Sequence, residues 1–223
     1  KYLAKKYNIE IEETQLTEKQ KEKINEKEKL FIITDIAKKF FVKQLFESDF
    51  GNNIAKSYLI ERGFNDSIIE RFDVGCLTNS IDDLKNFLIR KKYKIDDLYS
   101  LGLVSSNTNY DVYKSRIIFP IKTISGRTAG FGARTLKSNY KSAKYINSPE
   151  SIIYNKSKIL YGLYNSKSEI VKRDNCYIVE GYTDVLRFHQ KDIKNVVSSS
   201  GTAMSNDQIN LIRRLTKNIT MLY

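Results

Sequence analysis

The stretch from Cys176 to Tyr223 allows few folds, because short apolar runs alternate in it with amphipathic ones. Cys176-Tyr177-Ile178-Val179 is a β-prone run that stops at Glu180, Gly181 and Asp184, so it reads as a buried strand with a turn at Gly181. Asp184 to Lys191 has helical spacing, with Val185, Phe188 and His189 on one side. Val196 to Ser199 reads as a second strand, followed by Ser200-Gly201-Thr202. Ser205-Asn206-Asp207-Gln208 has the form of a capping box, in which the Ser and Gln side chains each satisfy a free backbone N–H. It opens a helix carrying Ile209, Ile212 and Leu215, and Ile219 to Tyr223 reads as a third strand. Strand, helix, strand, helix, strand predicts a parallel sheet with right-handed crossovers. Ligands of such sheets bind beyond the carboxyl ends of the strands, which is where Glu180 and Ser200-Gly201-Thr202 fall. Whatever the third strand presents would follow Tyr223, so the expectation is an α/β module cut at the edge of its own site.

The charge balance points to a partner. The 223 residues carry a formal net charge of +12 together with 15 Tyr and 11 Phe. Lys and Arg displace counterions from phosphates while rings stack on bases, so this balance fits a nucleic acid; a Lys-rich chain with ordinary solvated faces fits it too. Two cysteines and one histidine cannot supply a structural zinc site, and Cys76 and Cys176 read as reduced thiols of a cytoplasmic protein. No apolar run reaches membrane-spanning length, and no signal peptide opens the chain.

Upstream, Thr14 to Lys29 is almost all polar, with a capping box at Thr17-Glu18-Lys19-Gln20; it reads as a tether that turns helical towards its end. Leu30 to Phe46 has a broad apolar face made by Leu30, Ile33, Ile36, Ala37, Phe40, Phe41 and Leu45, which predicts a packed helix. Helices are expected over Asn53–Glu61 (ended by Gly63), Ser67–Phe72, Asp82–Arg90 and Ile95–Ser100. The texture changes after Leu103. Arg116–Ile121 and Thr128–Arg134 read as strands joined at Ser125-Gly126, and the alternating Gly130 and Gly132 imply a close backbone approach or a bulge. Lys137 to Lys158 is loop-like, basic and Tyr-bearing, with a turn at Asn147-Ser148-Pro149; Leu160 to Val171 is helix-like.

Glu180 and Asp184 are one helical turn apart and could share an ion. Two carboxylates with no nearby histidine suit a hard cation such as magnesium, although an acidic pair at a helix start is also favoured by the dipole alone. Ser198 to Ser205 could cradle a phosphate or be a plain polar turn. His189 lies on a helix side with no evident orienting partner and reads as a packing residue. Lys114, Arg116 and Lys122, then Arg127 and Arg134, then Lys144, Asn147 and Lys156 are interleaved with Tyr and Phe, which favours a phosphate-binding surface.

At these residues the chain resembles the catalytic core of bacterial DnaG-type primases, nearly end to end. Val179-Glu180-Gly181-Tyr182-Thr183-Asp184-Val185 is similar to that family's Toprim glutamate motif, and Lys194 to Ser198 with Ser200-Gly201-Thr202-Ala203 to its second segment. Arg116–Ile121, Gly130-Phe131-Gly132-Ala133-Arg134, Lys144–Glu150, Lys156-Ser157-Lys158 and Leu160–Leu163 resemble its upstream motifs, and Arg62-Gly63 and Leu101–Val104 fit as well. A Glu-Gly motif alone would also fit topoisomerases and small Toprim nucleases; the basic motifs do not. The chain departs from the pattern where Gly132-Ala133 replaces a commoner Gly-Gly and where the Asn139-Tyr140 neighbourhood is slightly longer.

The resemblance implies an α+β N-terminal subdomain followed by a truncated α/β Toprim fold with a βαβαβ parallel sheet. Residues 1–29 would be a linker from a missing zinc module, 30–171 the basic α+β subdomain, and 172–223 the first part of the Toprim domain. It implies Glu180 and Asp184 as catalytic carboxylates and ligands of Mg2+ or Mn2+, with zinc expected only in the missing module. Lys114, Arg116, Arg134, Lys144, Asn147 and Lys156 would face nucleic acid or nucleotide. The implied activity is synthesis of short RNA primers on single-stranded DNA, with ribonucleoside triphosphates and an RNA–DNA hybrid as partners and a replicative helicase bound through a region absent here. The implied location is the bacterial cytoplasm at the replication fork, with no membrane partner. The family's Asp-x-Asp motif would begin after Tyr223, so this stretch alone is expected to be inactive. A non-catalytic single-stranded nucleic-acid-binding module, a degenerate adaptor relative and a Toprim nuclease are the competing readings.

Overall fold

A computed structural model describes residue 7 and residues 17–136, 143–200 and 203–222. Much of the mixed N-terminal segment, Lys137, Tyr140 and Lys141 of the basic loop, Gly201, Thr202 and Tyr223 lie outside these residues.

A 30-residue helix, α1 (Glu18–Glu47), opens the described chain. Its capping box forms as the sequence implies: the Thr17 side chain accepts from Gln20 N–H and the Gln20 side chain from Thr17 N–H. The cap starts the helix at once, so residues 18–29 are helical where a tether was expected; their side chains are nearly all exposed and the helix runs unbroken past residue 30. A capped nucleus propagated from the apolar half suffices, since propagation costs far less than nucleation. Of the apolar face, Leu30, Ile33, Ala37, Phe41 and Leu45 are buried and Ile36 and Phe40 half-buried.

A π-helical turn, Gly51–Lys56, leads into α2 (Ser57–Glu61), and Gly63 ends it at φ 78°. Then come α3 (Asp66–Arg71), β1 (Gly75–Leu77), α4 (Asp83–Arg90) and α5 (Ile95–Ser100). The three-residue β1 has no alternating pattern, being buried throughout, so the sequence did not announce it. The strands β2 (Arg116–Lys122) and β3 (Thr128–Thr135) are the expected hairpin. They pair antiparallel, and with β1 and β4 (Tyr145–Asn147) they make a four-stranded sheet in the order β1-β2-β3-β4. β4 lies inside the stretch expected to be loop; it pairs with β3 through Gly132↔Asn147, Ala133↔Ile146 and Arg134↔Tyr145.

A 3₁₀ turn (Lys156–Lys158) and α6 (Leu163–Arg173) connect to the second sheet. Here β5 (Cys176–Val179), α7 (Tyr182–Gln190), β6 (Val196–Ser198), α8 (Asn206–Arg213) and β7 (Ile219–Met221) alternate as the sequence predicts. All pairings are parallel, in the order β6-β5-β7, so the Glu180 strand is central. The box at Ser205 and Gln208 is present in both directions.

The two sheets are joined through apolar packing. One buried cluster takes Leu45, Phe64, Phe72 and Phe119 from the first half and Tyr161, Val179, Tyr182 and Val185 from the second. Tyr161 exchanges two backbone hydrogen bonds with Ser198, at 2.9 and 3.0 Å, which clips the connector onto the parallel sheet. No helix of the described residues is long and apolar enough to cross a membrane.

Candidate active site

Where β5 ends, Glu180 emerges as an exposed carboxylate. Ser198 Oγ donates to the Glu180 carbonyl at 2.8 Å, which ties this strand end to β6. The next N–H, of Gly181, donates to Asp184 Oδ2 at 3.0 Å. Asp184 therefore caps α7 from its third position, where a negative side chain also suits the helix dipole. Capping and site-lining coexist: Glu180, Gly181, Tyr182, Thr183 and Asp184 line one cavity of about 320 Å³ with Ser200 from the end of β6 and Tyr145 and Asn147 from β4. The cavity thus lies on the seam between the antiparallel and parallel sheets. Its acidic wall comes from the second half and its opposite wall from the first.

The donor set is oxygen-only, which fits a hard divalent cation in kind. Among the described residues no three His, Cys, Asp or Glu side chains form a metal-holding group; the carboxylates that line the cavity are Glu180 and Asp184.

The basic residues occupy different stations. Arg134 is only 7% exposed; its Nη1 donates to Tyr145 Oη at 3.0 Å, and its guanidinium stands 5.4 Å from the ring centroids of both Tyr58 and Tyr145. It braces the exposed Tyr145 ring beside the cavity, an arrangement that also gains cation–π attraction. Arg116 is equally buried, and both its terminal nitrogens donate to the Ala143 carbonyl at 3.1 Å. Burial lowers its pKa from the ordinary guanidinium value, yet that value is so high that it stays cationic. Its visible work is to support the backbone under the exposed Lys144.

Lys156 is half-buried in the turn held by α8: Gln208 Nε2 donates to Lys156 O at 3.0 Å and to Ile159 O at 2.8 Å. Lys114 stands 5.4 Å from the Tyr110 ring centroid. So Glu180, Asp184 and Asn147 share the cavity and Arg134 supports its rim through Tyr145, whereas Lys114, Arg116, Lys144 and Lys156 are not among its lining residues. Replacing Gln208 by alanine is expected to strand two partly buried carbonyls, costing about 1–3 kcal/mol. Melting temperature and faster amide exchange around residues 156–159 would register it; unchanged exchange there would show that the turn holds itself.

Sequence reasoning overlooked Tyr182. Its ring stacks on Phe119 (centroids 5.2 Å, 7° between planes), meets Tyr161 edge-on at 4.7 Å, and sends its hydroxyl to Asn147 Oδ1 at 2.5 Å. The signal available was an aromatic directly after Glu-Gly, which by itself reads as core. Gly132 makes the fit possible, since a Cβ there would stand 2.3 Å from Tyr182 Cζ. Of the close approach or bulge inferred from Gly130 and Gly132, the approach is this ring laid against Gly132, and a register shift between β2 and β3 lies beside Gly130, at Ile121/Lys122. His189, read as a packing residue, is buried, and it also has a partner: its Nε2 is 3.0 Å from Ser166 Oγ.

Residues 40–167, more than half of the chain, match the family described as DNA primase catalytic core, N-terminal domain, and residues 174–223 match the Toprim domain. The DNA primase of Staphylococcus aureus (strain COL) is 39% identical over 173 residues, covering 76% of this chain and 28% of that protein. The DNA primase of Staphylococcus epidermidis is 32% identical over all of this chain and 38% of its own length. The chain therefore spans between 28% and 38% of these relatives. Among solved structures, the RNA polymerase domain of Mycobacterium tuberculosis primase DnaG has a TM-score of 0.78 at 33% identity, over 84% of this chain and 61% of that one. A DnaG primase catalytic domain bound to single-stranded DNA has a TM-score of 0.80 at 31% identity, over 90% and 64%. The basic antiparallel half, the parallel Toprim half and the carboxylate-lined seam between them place this chain in the family of DnaG-type primase RNA polymerase domains.

Proposed function

We propose that the protein built on this chain is a DNA-dependent RNA primase, joining ribonucleotides on a single-stranded DNA template at the replication fork in the bacterial cytoplasm. The observation that carries the reading is the shared cavity: the Toprim carboxylates Glu180 and Asp184 face Asn147 and the Arg134-braced Tyr145 across one seam. The solved primase catalytic domain bound to single-stranded DNA supports a template as partner. Glu180 and Asp184 would hold Mg2+ or Mn2+, which when bound offsets phosphate charge and favours in-line attack by a 3′-hydroxyl. Asn147 faces an incoming nucleotide, the Tyr145 ring offers a stacking surface, and Lys144 and Lys156 attract template phosphates from outside the cavity. Zinc would belong to a preceding module, and helicase contact to a region beyond this core. Two carboxylates line the cavity, too few charged ligands to hold Mg2+ or Mn2+ tightly, so this chain alone should make no primer.

The test compares metal-dependent primer synthesis by this chain and by one extended through the remainder of a Toprim domain. The extended protein should synthesise primers, and Glu180→Gln in it should cost on the order of 100-fold or more. Synthesis unaffected by Glu180→Gln would defeat the proposal, and magnesium-dependent DNA cutting without use of ribonucleotides would assign a nuclease instead. For binding, the log–log salt slope on single-stranded DNA should be roughly −0.7 per phosphate neutralised. Reversing charge at Lys144 and Lys156 together should flatten it. A slope that stays put would remove both lysines from the binding surface.

A further inference from the structure

The cavity wall opposite Glu180 is set by a tyrosine of the acidic wall itself. Tyr182 directly follows the Glu180-Gly181 turn, yet its hydroxyl crosses the seam to Asn147 Oδ1 on β4. An oxygen that already accepts this bond fixes the amide plane and turns the Asn147 Nδ2 hydrogens the other way. The ring cannot drift, being clamped between Phe119, Tyr161 and the bare backbone of Gly132. The hydroxyl also interacts with Ser200, which lines the same cavity.

We propose that Tyr182 is a positioning residue that holds the Asn147 amide with its N–H groups aimed into the cavity, where they donate to a phosphate oxygen of a bound nucleoside triphosphate. This rests on the primase reading for the ligand alone; the tyrosine–amide link stands on the geometry. It explains why a phenol rather than a phenyl ring follows the Glu-Gly turn: the apolar clamp needs only the ring, and the crossing bond needs the oxygen. Nucleotide binding and the carboxylate turn are thereby registered to each other.

The experiment uses Tyr182→Phe, which keeps the stack, with Asn147→Ala and the double variant in the full 223-residue chain. The probe is ATP with magnesium, titrated calorimetrically, and the Asn147 side-chain amide is followed by nitrogen–proton NMR, identified by its loss in Asn147→Ala. Expected are a displaced Asn147 amide pair in Tyr182→Phe, ATP affinity about tenfold lower, and no further loss when Tyr182→Phe is added to Asn147→Ala. A global defect would weaken the double variant beyond Asn147→Ala, so additivity overturns positioning. So does an amide pair that stays in place, or ATP affinity equal to that of the unmodified chain. If the unmodified chain binds no ATP while the amide pair still moves, the nucleotide assignment of the cavity falls and takes this ligand with it.

Discussion

Gly132→Val should lower stability by about 3 kcal/mol, the upper end of the usual cost of overpacking a core. In a domain of this size each kcal/mol moves the melting temperature by roughly 2–4 °C, so a fall near 10 °C is expected. The reason is specific. A Cβ on Gly132 would stand 2.3 Å from Tyr182 Cζ and 2.5 Å from its Cε2 and Oη, where the ring is rigid and stacked on Phe119. Backbone φ is not the issue, since Gly132 lies inside paired β3 opposite Phe119 and Asn147. Gly130 provides the control: its added Cβ would meet Ser148 at 3.1 Å and Tyr154 at 3.2 Å, a contact that small shifts can relieve, so Gly130→Ala should cost less. Shrinking the neighbour as well, in Gly132→Val with Tyr182→Ala, should recover part of the loss. A valine variant that melts with the unmodified protein would show that the ring can leave the strand freely, and the seam would lose its rigidity argument.

Two buried ionisable groups should give opposite pH dependences that cancel in the intact protein. His189 is 3% exposed, and burial, aided by the nearby charges of Arg71 and Lys194, lowers its pKa from 6.5 to about 4. Between those values the unfolded chain binds more protons than the folded one, so stability rises with pH across that window and is lost on acidification. The full effect is roughly 3 kcal/mol. Asp111 is 2% exposed and accepts the N–H groups of Leu84 (2.8 Å) and Lys85 (3.0 Å) at the start of α4. Those bonds oppose the shift, but burial prevails, with Asp83 and Asp82 adding repulsion, and the pKa goes up to about 6. Here the folded chain binds more protons between pH 3.8 and about 6, so stability falls as pH rises, again by roughly 3 kcal/mol.

Denaturant unfolding at pH 4, 5, 6 and 7 separates the two. His189→Gln should expose the downward slope from Asp111, and Asp111→Asn the upward slope from His189. Slopes of the same sign in both variants would mean that one of the two sites is hydrated and titrates normally.

Much of the second half was legible because its signals are local. Cys176–Val179, Val196–Ser199 and Ile219 onward are short apolar runs bounded by turn residues, and each became a strand to within a residue or two. The boxes at Thr17 and Ser205 were readable because four consecutive residues satisfy each other. Glu180 and Asp184 could be named for the same reason, their spacing being one helical turn. β1 and β4 are as short as β6 and β7 but escaped because Gly75-Cys76-Leu77 and Tyr145-Ile146-Asn147 are not β-prone apolar runs; their pairing with β2 and β3 holds them extended.

The basic residues show the same division more sharply. Charge and aromatic interleaving singled out Arg116 and Arg134, but nothing local could say that both would be 7% exposed, one supporting the Ala143 backbone and the other a tyrosine. The alternation of strands and helices from Cys176 on, the two capping boxes and the spacing of the carboxylate pair were determined by the sequence alone, since each depends on residues within about one turn or one strand of each other. Tertiary structure alone decided that Tyr182, Gly132 and Asn147 meet, because that contact joins three segments far apart in the chain. A ring's partner is chosen by the packing of two sheets, and no spacing along one segment encodes it.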